Sequence, residues 1–598
     1  MGLLQKACET YDCHARYAGL AREGHETLAP VGHTLTSAQI EITLDGDGGF
    51  CSARAVDKSE PKIIIPVTME SASRSSTSAK CFPHPLCDKL SYLIAEENYF
   101  IPQLEQWADS EHSHPKLKPI LSYLKRKTMV DDLLRADVIK VNERGYPMKD
   151  DAVICWNVIG IGEKSGPCWT DQSLIQAFSD YYFAQQKEYE RSLCMVSGEW
   201  AVLTKKHTGA ISTYGNAKLI SANDDSGFTY RGRFTDEQQA ETVSYLASQK
   251  AHNALRWLAA EQGRRAVAGG RTFLCWNPQG NPVPGVVGPF HIQAEQEIEP
   301  SDYRAALRRT LDGYRSELPE ETAGVVIAAF DAATPGRLSV TYYNELQASD
   351  FLQRLHDWDA HCCWWNGKFG IQSPPLWQIA SCAFGTQRGE TRMECDDRVM
   401  RQQMQRLIAC RVDGARIPTD IKRALVQRAS TPQCYDRGVW KRILFTACAV
   451  MNQYEYQTRG EACMAWELDK RDRSFQYGRL LAAMERAEAD FINAANEDRQ
   501  TNAIKLMSVF RQRPWTVYEQ VNRQLNLAYL PRILPWQRRR YEQTVAEIME
   551  LLRTFPEEAL NRPLDDSYLM GYHCQSNDFF KPKKEKTAEE NEHEHTGK

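Results

Sequence analysis

The hydrophobic period changes once along this chain, and that change restricts what it can fold into. From about Pro375 onward, strand-type runs become scarce and helical stripes take over. Helices are predicted at Arg398 to Cys410, Thr419 to Ala429, Arg437 to Gln453, Phe475 to Asn496, Thr516 to Tyr529 and Pro535 to Phe555. In the fourth, Tyr477, Leu481, Met484, Ala487 and Phe491 recur near the helical period, and in the last Tyr541, Val545, Ile548 and Leu552 do the same. Such stripes bury against one another, which predicts an all-α C-terminal bundle whose apolar positions are core and call for no cofactor. Arg511, Arg513, Arg532, Arg538, Arg539 and Arg540 fall outside the stripes, giving the bundle a cationic rim.

Upstream of Pro375 the chain alternates and is punctuated by Gly and Pro. Ile40 to Leu44, the turn-rich Asp45 to Gly49 and Phe50 to Val56 read as a hairpin. Lys62 to Val67 reads as a buried strand with Pro66 at an edge or end. A helix is predicted at Pro115 to Arg135, a strand at Ala152 to Ile161, and helices at Thr170 to Arg191 and Asp236 to Gln262. Strand Arg271 to Trp276 is followed by a Pro/Gly-rich crossing from Gly280 to Pro289, a boundary candidate. Helix Ser301 to Leu311, strands Gly324 to Phe330 and Arg337 to Tyr343, and helix Leu346 to Cys362 complete a compact α/β pattern. The expected class is α+β multidomain: an N-terminal mixed α/β region with small antiparallel sheets, and a C-terminal all-α helical bundle. The corresponding segments are 1–278, an α/β module at 279–374, a helical connector at 375–463, the bundle at 464–575 and a polar, disordered tail at 576–598.

Two stretches carry chemistry suited to nucleic acid. Between Arg191 and Phe234, short strand-type runs at Leu193 to Val196, Trp200 to Leu203 and Ala217 to Ser221 are separated by Gly198, Gly209, Gly215 and Gly227. On this small sheet sit Lys205, Lys206, His207, Lys218, Arg231 and Arg233, with Asn216 and Asn223 in the turns. Cations for phosphates beside amides for base edges are what a nucleic-acid surface needs; an ordinary strand edge blunted by lysines has the same composition. The second stretch, Glu70 to Lys80, has no apolar residue larger than alanine and carries Arg74, Ser75, Ser76 and Lys80. It reads either as a surface excursion or as a loop of hydroxyls and cations for groove and phosphate contacts.

The remaining signals narrow the function classes. The formal net charge of -5 supplies no global cationic field, so a nucleic-acid face has to be local or completed by partners. None of the 18 cysteines forms a CxxC pair, and buried reduced thiols are the expectation. The segment from Cys81 through His84 to Cys87 offers three donors but no visible fourth, and no metal is assigned. His356 and Asp357 form an HD dipeptide, which alone does not make a metal phosphohydrolase; a nuclease using them, or a general single-strand binder, is the alternative reading. No P-loop, dinucleotide fingerprint, H-E-x-x-H or G-x-S-x-G occurs, so no catalytic residue is assigned. The first residues lack a signal-peptide pattern and no apolar run approaches spanning length, which predicts a cytoplasmic protein.

The order Cys194, Gly198, His207, the run from Ala217 to Asn223, then Phe228, Tyr230 and Gly232 resembles the central signature of the large subunit of type I-C CRISPR Cascade complexes. Ser73 to Leu93, Gly336 to Leu355, Phe475 to Asn496 and Tyr568 to Gln575 fall where that family has equivalents. The resemblance implies a noncatalytic subunit that recognises the protospacer-adjacent motif in duplex DNA, assists R-loop formation, holds the displaced strand and helps recruit a helicase-nuclease. It implies as partners a guide crRNA, target double-stranded DNA, the repeat-handle-binding subunit, backbone subunits and a small subunit. On this reading Arg74, Ser75, Ser76, Lys80, Lys205, Lys206, His207, Asn216, Lys218 and Asn223 face the adjacent-motif duplex. Arg511, Arg513, Arg538, Arg539 and Arg540 then face the displaced strand. The resemblance also implies that the bundle is made separately by internal translation. Met464 is the start expected, because it precedes the polar lead-in to the helix at Phe475, whereas Met484 would cut that helix's stripe in half.

Overall fold

A computed structural model describes residues 2–74, 82–95, 99–143, 147–148, 150–189, 191–211, 214–215, 217–220, 241–290, 300–318, 324–334, 336–460 and 468–579. The chain divides into two compact units. The first comprises Met1–Ala266, Arg271–Val283 and Ala323–Leu346, and the second comprises Val267–Gly270, Pro284–Thr322 and Gln347–Lys598.

Two large cores organise the described residues of the first unit. In one, strand Ile40–Leu44 lies at the centre of a four-stranded sheet, antiparallel to Phe50–Ala55 and parallel to Ile154–Val158. The predicted hairpin is present, and its turn closes as its composition demands. Asp45 Oδ1 accepts from Gly49 N at 2.6 Å and Asp47 N at 3.0 Å, while Gly48 takes a φ of +80°. Ile42, Leu44, Ile154, Trp156 and Val158 are fully buried and pack with Trp107 and Phe178 from helices Phe100–Ala108 and Gln172–Gln185. Each such side chain contributes about 1.5–3 kcal/mol relative to exposure. Ile63–Pro66 pairs antiparallel with His33–Thr36, and Pro66 ends the strand, the position at which a missing N–H costs no ladder bond. In the other core, helix Leu3–His14 packs on helix Tyr245–Gln262 through Ala7, Ala251, Ala254 and Leu255. Strands Arg271–Trp276 and Gly324–Thr334, paired antiparallel, supply Leu274, Trp276, Val326, Ala328 and Phe330.

Two predicted helices are corrected. Pro115 to Arg135 is two helices, Leu117–Lys125 and Met129–Arg135, because the chain turns at Lys127, whose φ is +57°. Buried Asp132 holds that break by accepting from Thr128 Oγ1 at 2.7 Å and Tyr123 Oη at 3.1 Å. The helix expected from Asp236 starts at Tyr245, capped by Ser244 Oγ accepting from Ala247 N at 3.2 Å. Residues 236–240 lie outside the described residues. The carbonyls of Thr242 and Val243 instead accept from Met195 N and Thr204 N, so this backbone is already committed to the neighbouring ribbon.

The second unit is predominantly helical, as the stripes predict. Helix Arg473–Ala494 is its axis: Phe475, Tyr477, Leu480, Leu481 and Met484 are all fully buried. Helix Ser567–Asp578 crosses it where Gly478 faces the Tyr568 carbonyl and Gly571 faces the Phe475 carbonyl. The buried positions of Pro535–Leu552 are Tyr541, Thr544, Ile548 and Leu552. Arg437–Arg459 runs six residues past its predicted end, to Gly460, whose left-handed conformation stops it. The predicted Thr516 to Tyr529 helix is Pro514–Gln524 followed by a π-helical turn, Leu525–Tyr529. A short antiparallel hairpin, Thr386–Arg388 with Arg392–Glu394, is the β-element within the predicted helical connector among the described residues.

Candidate nucleic-acid interface

The polar loop after Met69 is closed at its base. Helix Met69–Ala72 is capped by Thr68 Oγ1, which accepts from Ser71 N. Arg74 follows, and its guanidinium donates to Asp88 Oδ2 at 2.6 Å, Asp88 Oδ1 at 2.7 Å and the Phe82 carbonyl at 3.0 Å. Its plane lies over the Tyr92 ring, 4.3 Å from the centroid. Asp88 is 1% exposed and also accepts from His84 N and Lys89 N, so its carboxylate is saturated with donors. Arg74 therefore ties together the residues on either side of the 75–81 segment. Ser75, Ser76 and Lys80 lie within it, outside the described residues. His84 is half-buried with Nδ1 2.9 Å from Ser71 Oγ, and desolvation with Arg74 nearby pushes its pKa down to about 4.

The second segment folds as a ribbon ending in a cationic turn. Arg191–Leu193 and Trp200–Val202 pair antiparallel, and Ser244 N donates to Cys194 Sγ from beneath. Past the ribbon, Thr204 Oγ1 accepts from Lys206 N and donates to the Lys206 carbonyl, a local turn that leaves Lys205 and Lys206 exposed. His207 goes the other way: it is 1% exposed, with Nδ1 2.9 Å from Ser248 Oγ and Nε2 3.4 Å from Glu241. Expected to face DNA, it props the turn from below, because its ring fills the space beside His252.

The structure brings these two segments together. Lys206 Nζ stands 5.2 Å from the centroid of the Phe82 ring, and Lys218 Nζ donates to the Ser73 carbonyl at 3.4 Å. Lys218 is positioned by its backbone, which donates to Gly336 O and accepts from Leu338 N. Its pKa is lowered by partial burial and then by the Lys206 charge. Two amines thus repel across the closed base of the loop, and a bound anionic group would relieve that repulsion. Asn216 and Asn223 lie outside the described residues, as do Arg231 and Arg233. Ile220 and Val243, on either side of the 221–240 segment, belong to one small apolar cluster with Cys194. The described flanks of both segments thus lie in one neighbourhood of the first unit.

On the bundle, the rim arginines divide. Arg511 pairs with Asp566 at 3.0 Å, and Arg540 donates to the carbonyls of Asp578 and Phe579 while covering the Phe579 ring. Arg538 pairs with Glu542 at 2.8 Å. Arg513 and Arg539 are exposed. Elsewhere in the second unit, His356 Nδ1 lies 3.3 Å from Asp357 Oδ1, and Gln353 donates to that same oxygen. Among the described residues, no group of three or more His, Cys, Asp or Glu is placed to hold a metal ion, no disulfide is present, and no helix is long and apolar enough to cross a membrane. Reading the sequence missed Asp88, Phe82 and Tyr92 as the partners that organise Arg74 and Lys206; nothing in their local sequence marks them.

With one mixed unit that gathers cations from distant segments and a second that is predominantly helical, this is an α+β multidomain protein. The chain belongs to the CRISPR-associated protein family Cas_Csd1, whose model matches residues 14–580. No curated protein matches it.

Proposed function

We propose that this chain is the noncatalytic large subunit of a type I-C CRISPR Cascade ribonucleoprotein in the cytoplasm. In this role it recognises the protospacer-adjacent motif, assists R-loop formation, holds the displaced strand and helps recruit a helicase-nuclease. Base pairing with the guide reads most of the target, so the protein need read only a short duplex motif and support backbone. The observation that carries the reading is the meeting of the Arg74 segment with Lys206 and Lys218, through Phe82 and the Ser73 carbonyl. It brings Lys206 and Lys218 to the base of a segment whose sequence is rich in short hydroxyl donors, and hydroxyls together with cations are what a groove-reading site uses.

The test is a gel-shift titration of the assembled complex, with its guide, against targets carrying the correct or an altered adjacent motif. Replacing Ser76, or Asn216 and Asn223, by alanine is expected to reduce discrimination between the two targets while leaving subunit composition intact. Unchanged discrimination in both variants rejects the assignment.

A further inference from the structure

The ribbon before the cationic turn carries an apolar face that the fold leaves open. Leu193 pairs opposite Trp200, and Arg191 opposite Val202. Opposed residues project from the same face and side chains alternate along each strand. Arg191, Leu193 and Trp200 therefore share one face, and Ser192 and Ala201 the other. Trp200 is 70% exposed and Leu193 51%, with Met195, in the turn between the strands, at 54%. Among the described residues, Trp200 is the most exposed aromatic side chain. An isolated exposed apolar residue is ordinary, but an open indole grouped with two more apolar side chains marks a surface with an occupant.

The charges beside that face indicate the occupant. The strand from Trp200 ends at Val202, and the chain continues through Leu203 and Thr204 into the turn that carries exposed Lys205 and Lys206. Exposed Arg191 stands between them on the same face as Trp200. Exposed Glu199 bounds the row at the turn end. Cations in line with an open aromatic ring match a single strand of nucleic acid, whose phosphates take the cations while a base stacks on the ring. A duplex has no free base face to offer an indole.

We propose that the Leu193 and Trp200 face is a stacking site for an unpaired base, with Trp200 as the platform and Arg191, Lys205 and Lys206 holding the flanking phosphates. This rests on the reading that the Lys205 and Lys206 turn faces nucleic acid.

The experiment titrates the purified full chain, and its Trp200→Ala and Trp200→Phe variants, with a labelled single strand of about 12 nucleotides and with the matching blunt duplex. Trp200→Ala is expected to weaken single-strand binding roughly 5- to 150-fold, and to leave duplex affinity and the salt slope unchanged. Trp200→Phe is expected to retain most of the affinity. Absent single-strand binding by the unaltered chain, unchanged affinity in Trp200→Ala, or an equal loss on duplex overturns the proposal. Normal binding by Trp200→Ala combined with loss of a subunit from the assembled complex also overturns it, in favour of a protein-docking face. A Lys205→Ala, Lys206→Ala variant with an unaltered salt slope rejects the underlying nucleic-acid reading separately, whatever Trp200→Ala does.

Discussion

Arg74 and Asp88, fourteen residues apart, form a two-pronged ion pair with the carboxylate 1% exposed, and this pair closes the base of the loop proposed to read DNA. Removing one partner of such a pair leaves an uncompensated buried charge, at a cost of about 3–5 kcal/mol. Asp88→Asn and Arg74→Ala are therefore both expected to lower the thermal midpoint of the purified chain by several degrees. Both are also expected to reduce motif discrimination, although Asp88 is too deeply buried to touch DNA. Arg74→Lys rescues neither, since an ammonium cannot span both carboxylate oxygens. Full discrimination in a folded Asp88→Asn variant rejects the positioning role.

Lys205 and Lys206 are exposed, and as ammonium point charges they suit phosphates. Replacing both by alanine should weaken binding to correct and incorrect motifs alike, and reduce the slope of log affinity against log salt by about 0.9 for each phosphate that no longer meets a cation. Affinity measured across a salt series checks this; a loss confined to the correct motif contradicts it.

Burial holds several histidines neutral: His33 and His84 are lowered to about 4, and His252 and His573 to about 3, from an ordinary value of 6.5. Below the unfolded value the unfolded chain takes up protons that the folded chain refuses. Their contribution is thus intact above about pH 6.5 and is lost progressively as pH falls towards the folded values. The thermal midpoint is expected to drop between pH 6.5 and 4, and a folded His84→Gln variant should drop less steeply over that window. Parallel curves for the variant and the unaltered protein refute the assignment to His84.

His356 and Asp357 bond to each other, and the Asp357 carbonyl accepts from His361 Nδ1 at 2.7 Å. On the reading that they are a structural pair, alanine at both is expected to leave target cleavage by the assembled system within about twofold. Lost cleavage with normal folding, DNA binding and nuclease recruitment assigns them a catalytic part instead.

Production of the bundle as a separate chain from Met464 is expected to appear as a second species in the intact mass of the purified complex. Met464 lies outside the described residues, and the helix pair at the axis of the bundle follows it. Asp472 caps Arg473–Ala494 by accepting from Phe475 N and also accepts from Ser567 Oγ. Gly478 and Gly571 let that helix approach Ser567–Asp578. A start at Met484 discards Asp472 and Gly478. Gly478→Ala pushes a methyl group into the Tyr568 carbonyl and should destabilise the short species along with the full chain. Absence of any fragment starting near Met464, or its persistence after Met464→Ala with synonymous recoding of Gly460 and Glu461, excludes this start.

Elements with strong local signals were legible from the sequence. Arg271–Trp276 and Thr419–Ala429 lie where the pattern put them, and the Asp45 to Gly49 turn closes as its residues require. Boundaries failed where a tertiary partner claimed the backbone: at Lys127, where Asp132 holds a break, and at Glu241 to Ser244, where the ribbon takes the carbonyls. The candidate site divides in the same way. Residue type and spacing identified Arg74, Lys205, Lys206 and Lys218 as cations in polar surroundings. Which of them is spent on Asp88, which is lifted to the surface by Thr204, and that His207 turns inward to Ser248, depend on interactions between residues far apart in the chain. Local chemistry is written residue by residue, and so the sequence by itself determined the helical third, the small sheets and the supply of cations. A salt bridge or a buried imidazole is decided by the position of its partner, and only the packed tertiary structure sets that position.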